Sequence, residues 1–384
     1  MRHVFRYLCL AAGIMVSCAA AAQIKVGIDL SATGPAAAIG IASKSAIQLW
    51  PREIAGQKIT YVYLDDASDP GNAVRNVRKL ISEEHVDLLV GPIIAPNALA
   101  VLPVIAENQT PMITLAASAA VVEPPDGPRY WAFKMPQNDT HMATVLTQHM
   151  ADHGIKSVAF IGFADAYGEG WWKEFSRLAE VRHLRIVASE RYARTDTGVT
   201  GQVLKIMAAH PDAVLIAGAG TPAVLPQKTL KAKGYRGQTY QTHGIATPEF
   251  LKLGGADVEG TLFPTGPAVV ADQLPKDHPV RNAALSFQRT YSAAYGQVSL
   301  TQFAADAWAA YLLFANALPG ALKAAQPGTR EFRAALRDQL EQTRNLTTPQ
   351  GIINMSARDH VGLDQRSRVM GKIQNGRFTY AGDH

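Results

Sequence analysis

Apolar positions along this chain follow two rhythms that take turns. Short apolar or alternating runs at Ile24–Leu30, 58–64, 111–115, 157–162 and 213–218 predict strands. Between them, apolar residues recur three and four apart, the spacing of a helix with one buried face. The segment 61–92 shows the alternation most plainly. Its first strand leads to Asp69-Pro70. Asp69 can accept hydrogen bonds from the first free helical N–H groups, and Pro70 suits the first helical position, where no N–H is needed. Ala73, Val77, Leu80, Ile81 and Glu84 then share a mostly apolar face. A second strand ends at Gly91-Pro92. Such a strand–helix–strand unit is a crossover between parallel strands.

The same alternation continues on both sides. A helix is expected after the loop 31–40, another at 97–107, and the strand 111–115 completes a first series. A second series runs from about Met135: strands at 157–162, Arg185–Tyr192, 213–218 and Gln238–Gln241, helices at 169–183, 202–209 and 222–233. The remainder is helical at 279–295, 302–318 and 329–341. It ends in a hairpin turning at Asn375-Gly376, a pair that suits a type I′ turn. These late helices have no sheet of their own to cover, so they are expected to complete the first lobe, with the tail returning to the second. The fold class is therefore α/β: two doubly wound parallel-sheet lobes joined by a three-segment hinge, with crossings near 134–137, 261–266 and 345–351. Residues 23–135 with 266–345 form lobe one in this reading, and 136–265 with 346–384 form lobe two.

Composition adds limits. The 384 residues suffice for two domains, and 47% apolar with 18% charged residues is ordinary for a globular protein. The net charge of +5 comes without a basic run, so nucleic acid is not an expected partner. Arg2, His3 and Arg6 precede the apolar run 7–16 and the small residues 19–22, the order of a cleaved secretory leader at 1–22. Both cysteines, Cys9 and Cys18, fall in that leader, so the mature chain is expected to have no thiol chemistry. A lipid anchor at Cys18 is the rival reading, which Met15 fits poorly.

Ligands of open parallel sheets sit beyond the carboxyl ends of the strands. Six loops qualify: 31–40, 91–97 and 116–120 in lobe one, and 163–168, 219–222 and 242–246 in lobe two. If the lobes face each other, these loops line one cleft that a hinge can close. Motifs for chemistry are missing: there is no phosphate loop, zinc-protease motif or nucleophile elbow. No cofactor, metal or catalytic residue is therefore expected. His149 and His153 have metal-compatible spacing but no third ligand, and read as a solvated helix face. Asp65 and Asp66 point to opposite faces of a strand and read as loop caps. Trp171, Trp172 and Phe175 read as core or lobe-interface packing.

With these residues in view, the chain resembles the periplasmic type I solute-binding proteins of ABC importers, the leucine/isoleucine/valine-binding family. The likeness rests on residues 24–35, on Asp65-Asp-Ala-Ser-Asp-Pro70 through Val90-Gly-Pro92, on 111–118, and on Ala166-Tyr-Gly-Glu-Gly170. It implies that a ligand carboxylate meets Ser118 and backbone groups at Ala116, and that Tyr167 closes over the ligand from lobe two. The loop after Gly91-Pro92 offers Asn97 and backbone groups such as that of Ala95; Gly220 belongs to the lobe-two loop 219–222. Two departures stand out. His243 occupies the place where amino-acid binders carry an acidic partner for the ligand ammonium, and Ile39 replaces an aromatic residue. Together with 134–142 and 163–167, they shift the resemblance toward the subgroup that binds aromatic carboxylates. The implied function is a periplasmic, monomeric binding protein delivering a small carboxylate to an inner-membrane ABC permease. A branched-chain amino acid ligand is the alternative. A ligand sensor for a membrane receptor and an exported hydrolase are alternatives of other classes.

Overall fold

The computed structural model describes residues 23–296 and 300–382. The leader predicted at 1–22, with Cys9 and Cys18, lies outside the described residues. Among these, no helix is long and apolar enough to cross a membrane.

Six strands form the first sheet, in the order Glu53–Ile54, Gln57–Asp65, Ile24–Leu30, Leu88–Val90, Met112–Thr114, Ala132–Lys134. All neighbours are parallel except the outermost pair at Glu53–Ile54. The crossover helix is Pro70–Ser82, and Asp69 Oδ1 accepts from Asn72 N at 2.7 Å. Ala73, Val77 and Leu80 are buried beneath it, while Ile81 and Glu84 sit at its margin. Asp65 and Asp66 both cap the neighbouring loop: Asp65 Oδ2 accepts from the Thr33 hydroxyl at 2.7 Å, and Asp66 Oδ1 from the Ser31 hydroxyl at 2.6 Å.

The second sheet has seven strands, in the order Arg377–Gly382, Val369–Gln374, Leu262–Thr265, Gln238–Gln241, Ala213–Ala217, Ser157–Phe163, Arg185–Tyr192. The first two are the tail hairpin, antiparallel to the sheet they join. Asn375 and Gly376 both take positive φ, 53° and 68°, as a type I′ turn requires. Four short strands at the chain crossings go beyond the sequence reading. Ala132–Lys134, Leu262–Thr265 and the pair Leu346–Thr348 with Gly351–Ile353 are strands where only chain crossings were expected. Three or four residues are too few for a period of two to declare itself.

Each sheet has its own core. Val26, Leu88 and Ile113 of the first sheet pack with Phe287, Phe314 and Leu336 from the helices Arg281–Tyr295, Gln302–Ala324 and Arg330–Glu341. Ser43 Oγ donates to the carbonyl of Phe303, 260 residues onward, at 3.2 Å. A second core gathers Phe160, Phe175, Ile216 and Tyr240.

Three buried glutamines join the crossing segments. Gln302 Nε2 donates to Gln137 Oε1 at 2.6 Å, and Gln302 Oε1 accepts from Gly266 N at 2.8 Å and from the Thr265 hydroxyl at 3.1 Å. Gln137 Nε2 donates to the Ser367 carbonyl at 2.7 Å. Gln350 Nε2 donates to Asp306 Oδ1 at 2.6 Å. Side-chain amides suit this place because one residue offers donors and acceptors at once.

Candidate functional site

The carboxyl ends of the two sheets face each other across a narrow cavity lined by both lobes. All six loops beyond the strand ends reach it. Lobe one supplies Ile39, the turn Ile93-Ile94-Ala95, and Leu115 with Ala117; lobe two supplies Tyr167, Ala219, and His243 with Gly244. The wall from lobe one is largely apolar, and Phe303 of the helix Gln302–Ala324 extends it.

Tyr167 opens the helix Ala166–Val181, whose cap Asp165 accepts from Tyr167 N at 2.9 Å and Gly168 N at 3.2 Å. The Tyr167 hydroxyl is 2.7 Å from Thr242 Oγ1, which fixes the ring beside the cavity. His243 is buried, with its ring centroid 6.2 Å from that of Tyr167 and 5.8 Å from that of Trp171. Its Nδ1 has no hydrogen-bond partner among the described residues. Burial, helped by the nearby Lys134 cation, pushes the imidazole down to about 3. His243 is thus neutral at physiological pH, a donor at one nitrogen and an acceptor at the other.

The other expected contacts are placed differently. Ser118 lies on a neighbouring crevice between the lobes, with Asp139, Glu123, Glu169 and Glu174 on its walls. A Cβ on Gly170 there would stand 3.0 Å from Asp139 Oδ2 and 3.6 Å from Ser118 Oγ, so the lobes approach closely. Nor does the Ser118 side chain cap the short turn Ala119–Val121 that follows it. Ala116 is fully buried behind the wall, and Ala117 faces the cavity instead. Asn97 is buried beside Asp66 and turned from the cavity. Gly220 stands behind Ala219, at φ 62°, where a Cβ would be 3.5 Å from Ile39 Cγ2 across the cleft. A hydroxyl beside several carboxylates is a poor seat for an anion. Ser118→Ala is therefore expected to change ligand affinity less than about threefold, where a buried carboxylate contact would be worth ~1–3 kcal/mol. Calorimetric titration decides it: a loss of about tenfold or more would return the ligand carboxylate to Ser118.

Away from the cleft, His149 does not sit on a solvated face as expected. It is buried, its Nδ1 lies 3.1 Å from the Tyr240 hydroxyl, and its ring stacks on His153 at 3.8 Å. Trp171 and Phe175 are fully buried in the second core.

Three charged groups at or beside the cavity lay outside the sequence expectations. Arg194 lines it from just beyond the strand Arg185–Tyr192. Its Nε donates to Asp165 Oδ2 at 2.6 Å, and its guanidinium lies 4.1 Å from the Phe163 ring centroid. The two terminal nitrogens have no hydrogen-bond partner among the described residues. Asp306 lines the cavity from lobe one, 1% exposed. Burial pushes its carboxyl up to about 7, and Oδ2 has no partner. Lys134 is fully buried behind the wall, where its ammonium donates to the carbonyls of Ala117 at 3.0 Å, Pro136 at 2.7 Å and Gln137 at 3.1 Å. Burial pulls it down to about 8, against the pull of Asp139, Glu123 and Asp306. A lone charge inside an apolar stretch was the available signal for Asp306, in Gln302-Phe-Ala-Ala-Asp-Ala-Trp308, and for Lys134, in Ala132-Phe-Lys-Met135.

These features describe a cavity between two lobes, largely apolar, with Arg194, His243 and Asp306 as its polar side chains beside the Tyr167 hydroxyl. Among the described residues, no cluster of His, Cys, Asp and Glu could hold a metal ion. Comparison with known proteins agrees with the fold. A profile of the periplasmic binding protein family matches residues 23–376. The chain is 25% identical over 280 residues to Leu/Ile/Val-binding protein homolog 3 of Brucella melitensis biotype 1, covering 70% of this chain and 74% of that protein. An extracellular ligand-binding receptor from Rhodopseudomonas palustris HaA2 is 47% identical, with a TM-score of 0.91 over 94% of this chain and all (100%) of that one. A solute-binding protein of an ABC transporter from Rhodopseudomonas palustris BisB5, solved with 3,4-dihydroxybenzoic acid, shares the fold at 19% identity, with a TM-score of 0.78 over 94% of this chain and 96% of that one. The match to the family profile runs from the first strand to the tail hairpin and takes in both walls of the cleft, and the chain accordingly belongs to the periplasmic binding protein family.

Proposed function

We propose that this protein captures a small carboxylate, with an aromatic acid favoured, in the interlobe cleft and presents it to an ABC permease. Its family consists of periplasmic proteins that bind small ligands for ABC transporters. Arg194 is the observation that carries the finer reading. Its fork is held rigid by Asp165 and Phe163, and its two terminal nitrogens remain for a carboxylate. Nearby, the helix Ala95–Glu107 begins at the cavity wall without a side-chain cap; Pro96 has no N–H to give, which leaves those of Ala95 and Asn97 for an anion. Between these polar groups the walls are Ile39, Ile93, Leu115 and Phe303, with the Tyr167 ring opposite. An apolar body with one carboxylate matches that surface. The aromatic acid held by the BisB5 relative supports the same class.

A second reading, an α-amino acid ligand, draws on Asp306, the one carboxylate among the described residues lining the cavity. Calorimetry with benzoate- and cinnamate-type acids, set against leucine, isoleucine and valine, tests both. The expected result is heat of binding with aromatic acids and none with the three amino acids at equal concentration. Tight leucine binding without response to any aromatic acid would overturn the proposal.

A further inference from the structure

Asp306 poses a specific chemical problem. Its carboxyl is buried on the cavity wall. Gln350 Nε2 donates to Oδ1 at 2.6 Å and the Gln302 side chain lies close enough to favour the charged form, yet Oδ2 has no hydrogen-bond partner among the described residues. A buried acceptor left bare in an otherwise apolar wall is costly unless a ligand completes it. Gln350 is itself fully buried and belongs to the amide network of the crossing segments, so Oδ1 is committed and Oδ2 is the atom left for the ligand.

Two kinds of ligand group could donate to Oδ2. An ammonium needs several acceptors and loses much hydration on entering such a place. The other residues that line the cavity from lobe one are apolar, and the Lys134 cation already acts on the Asp306 carboxyl. His243, opposite, is neutral. A hydroxyl needs a single acceptor for its one proton and brings no second cation beside Lys134.

We infer that Asp306 Oδ2 accepts a hydrogen bond from a hydroxyl on the ligand, so that hydroxy-substituted aromatic acids are preferred over their unsubstituted parents. This inference rests on the proposal that the cleft binds aromatic carboxylates. It makes Asp306 a specificity-determining residue, and it sets the ligand's hydroxyl against the network that ties the three crossing segments.

The test is a titration series on the full chain with benzoate, 3-hydroxybenzoate, 4-hydroxybenzoate and leucine. The better hydroxybenzoate is expected to bind the wild type about tenfold or more tighter than benzoate. In Asp306→Ala that ratio should fall to within about twofold. Asp306→Leu, which offers no polar atom at this place, serves if the alanine variant does not fold. The hydroxyl preference should be lost in it too. Benzoate binding with no gain from either hydroxyl would overturn the inference and leave the aromatic-acid reading standing. So would a hydroxyl preference that survives both variants. Leucine binding that depends on Asp306 would assign the carboxyl to an ammonium and overturn the inference as well. Failure of every aromatic acid to bind would overturn both readings.

Discussion

Arg194→Met should weaken binding of an aromatic carboxylate by roughly 10- to 100-fold. A hydrogen bond to a charged group contributes about 1.5–3 kcal/mol, and each 1.4 kcal/mol is tenfold in affinity. The side chain is well placed for a large effect, since it is only 12% exposed and its orientation is fixed by Asp165 and the Phe163 ring. Little ordering entropy is left to lose when a ligand arrives. The fold should tolerate the change, because Asp165 keeps its role as helix cap through Tyr167 N and Gly168 N. Arg194→Lys should recover less than tenfold, since an ammonium lacks the fork that meets both carboxylate oxygens. Calorimetry on the three proteins, with thermal melts to check folding, measures this. Unchanged affinity in the methionine variant would remove Arg194 from the site.

Lys134→Met acts on stability. The ammonium satisfies three carbonyls and offsets the charge of Asp139 and Asp306 nearby. Removing one partner of a buried ionic group costs about 3–5 kcal/mol when the remaining charge stays. Here the cost should depend on pH. Asp139 and Asp306 are each raised to about 7 by burial, with Lys134 pulling them down. At pH 5.5 both carboxyls are largely protonated in the folded protein, so losing the cation exposes mainly the carbonyls, a cost of about 1–2 kcal/mol. At pH 7.5 most of both is ionised while most of Lys134 still carries its charge, so the cation is missed most there. The deficit of the variant relative to wild type should therefore grow as pH rises from 5.5 to 7.5, and shrink again above about 8 as the wild-type lysine loses its proton. Urea unfolding at the two pH values reads it. An equal deficit at both would show that Lys134 serves the carbonyls alone.

Much of the architecture was legible because its signals are local. The cap at Asp69, the helical spacing of Ala73, Val77 and Leu80, and the Asn375-Gly376 turn each lie within one element. The cleft and its six loops followed from a general rule about strand ends, and the family resemblance singled out Ile39, Tyr167 and His243 within them; all three, with Ala95, stand on its wall. What escaped was non-local. Arg194 stands in Arg191-Tyr-Ala-Arg-Thr-Asp196, a polar run that reads as solvated loop; only the return of the chain past Phe163 and Asp165 turns it inward. Asp306 sits one turn into a long helix, and only the fold, which brings Gln350 to it from 44 residues later, shows it buried on the cavity wall rather than exposed. Ser118 and Ala117 are adjacent, and which of the two meets the cavity depends on how closely Gly170 approaches from the other lobe.

The hydrogen bond from Ser43 to Phe303 has a kinetic meaning. The second core draws almost entirely on one continuous stretch, from Met142 to Leu262, and can condense as soon as that stretch is free. The first core cannot: its sheet lies at the start of the chain, and the helices that cover it lie about 260 residues onward. Closing so long a loop lays its entropic cost before the packing gain. The central strands of the second sheet, Ser157–Phe163, Ala213–Ala217 and Gln238–Gln241, should therefore acquire protection from hydrogen exchange before the first sheet, while the face of the second sheet that packs on Val369, Ile373 and Phe378 must wait for the tail. Until the helix Gln302–Ala324 docks, half of the cleft has no rigid wall, so a refolding chain gains ligand affinity only in its last step.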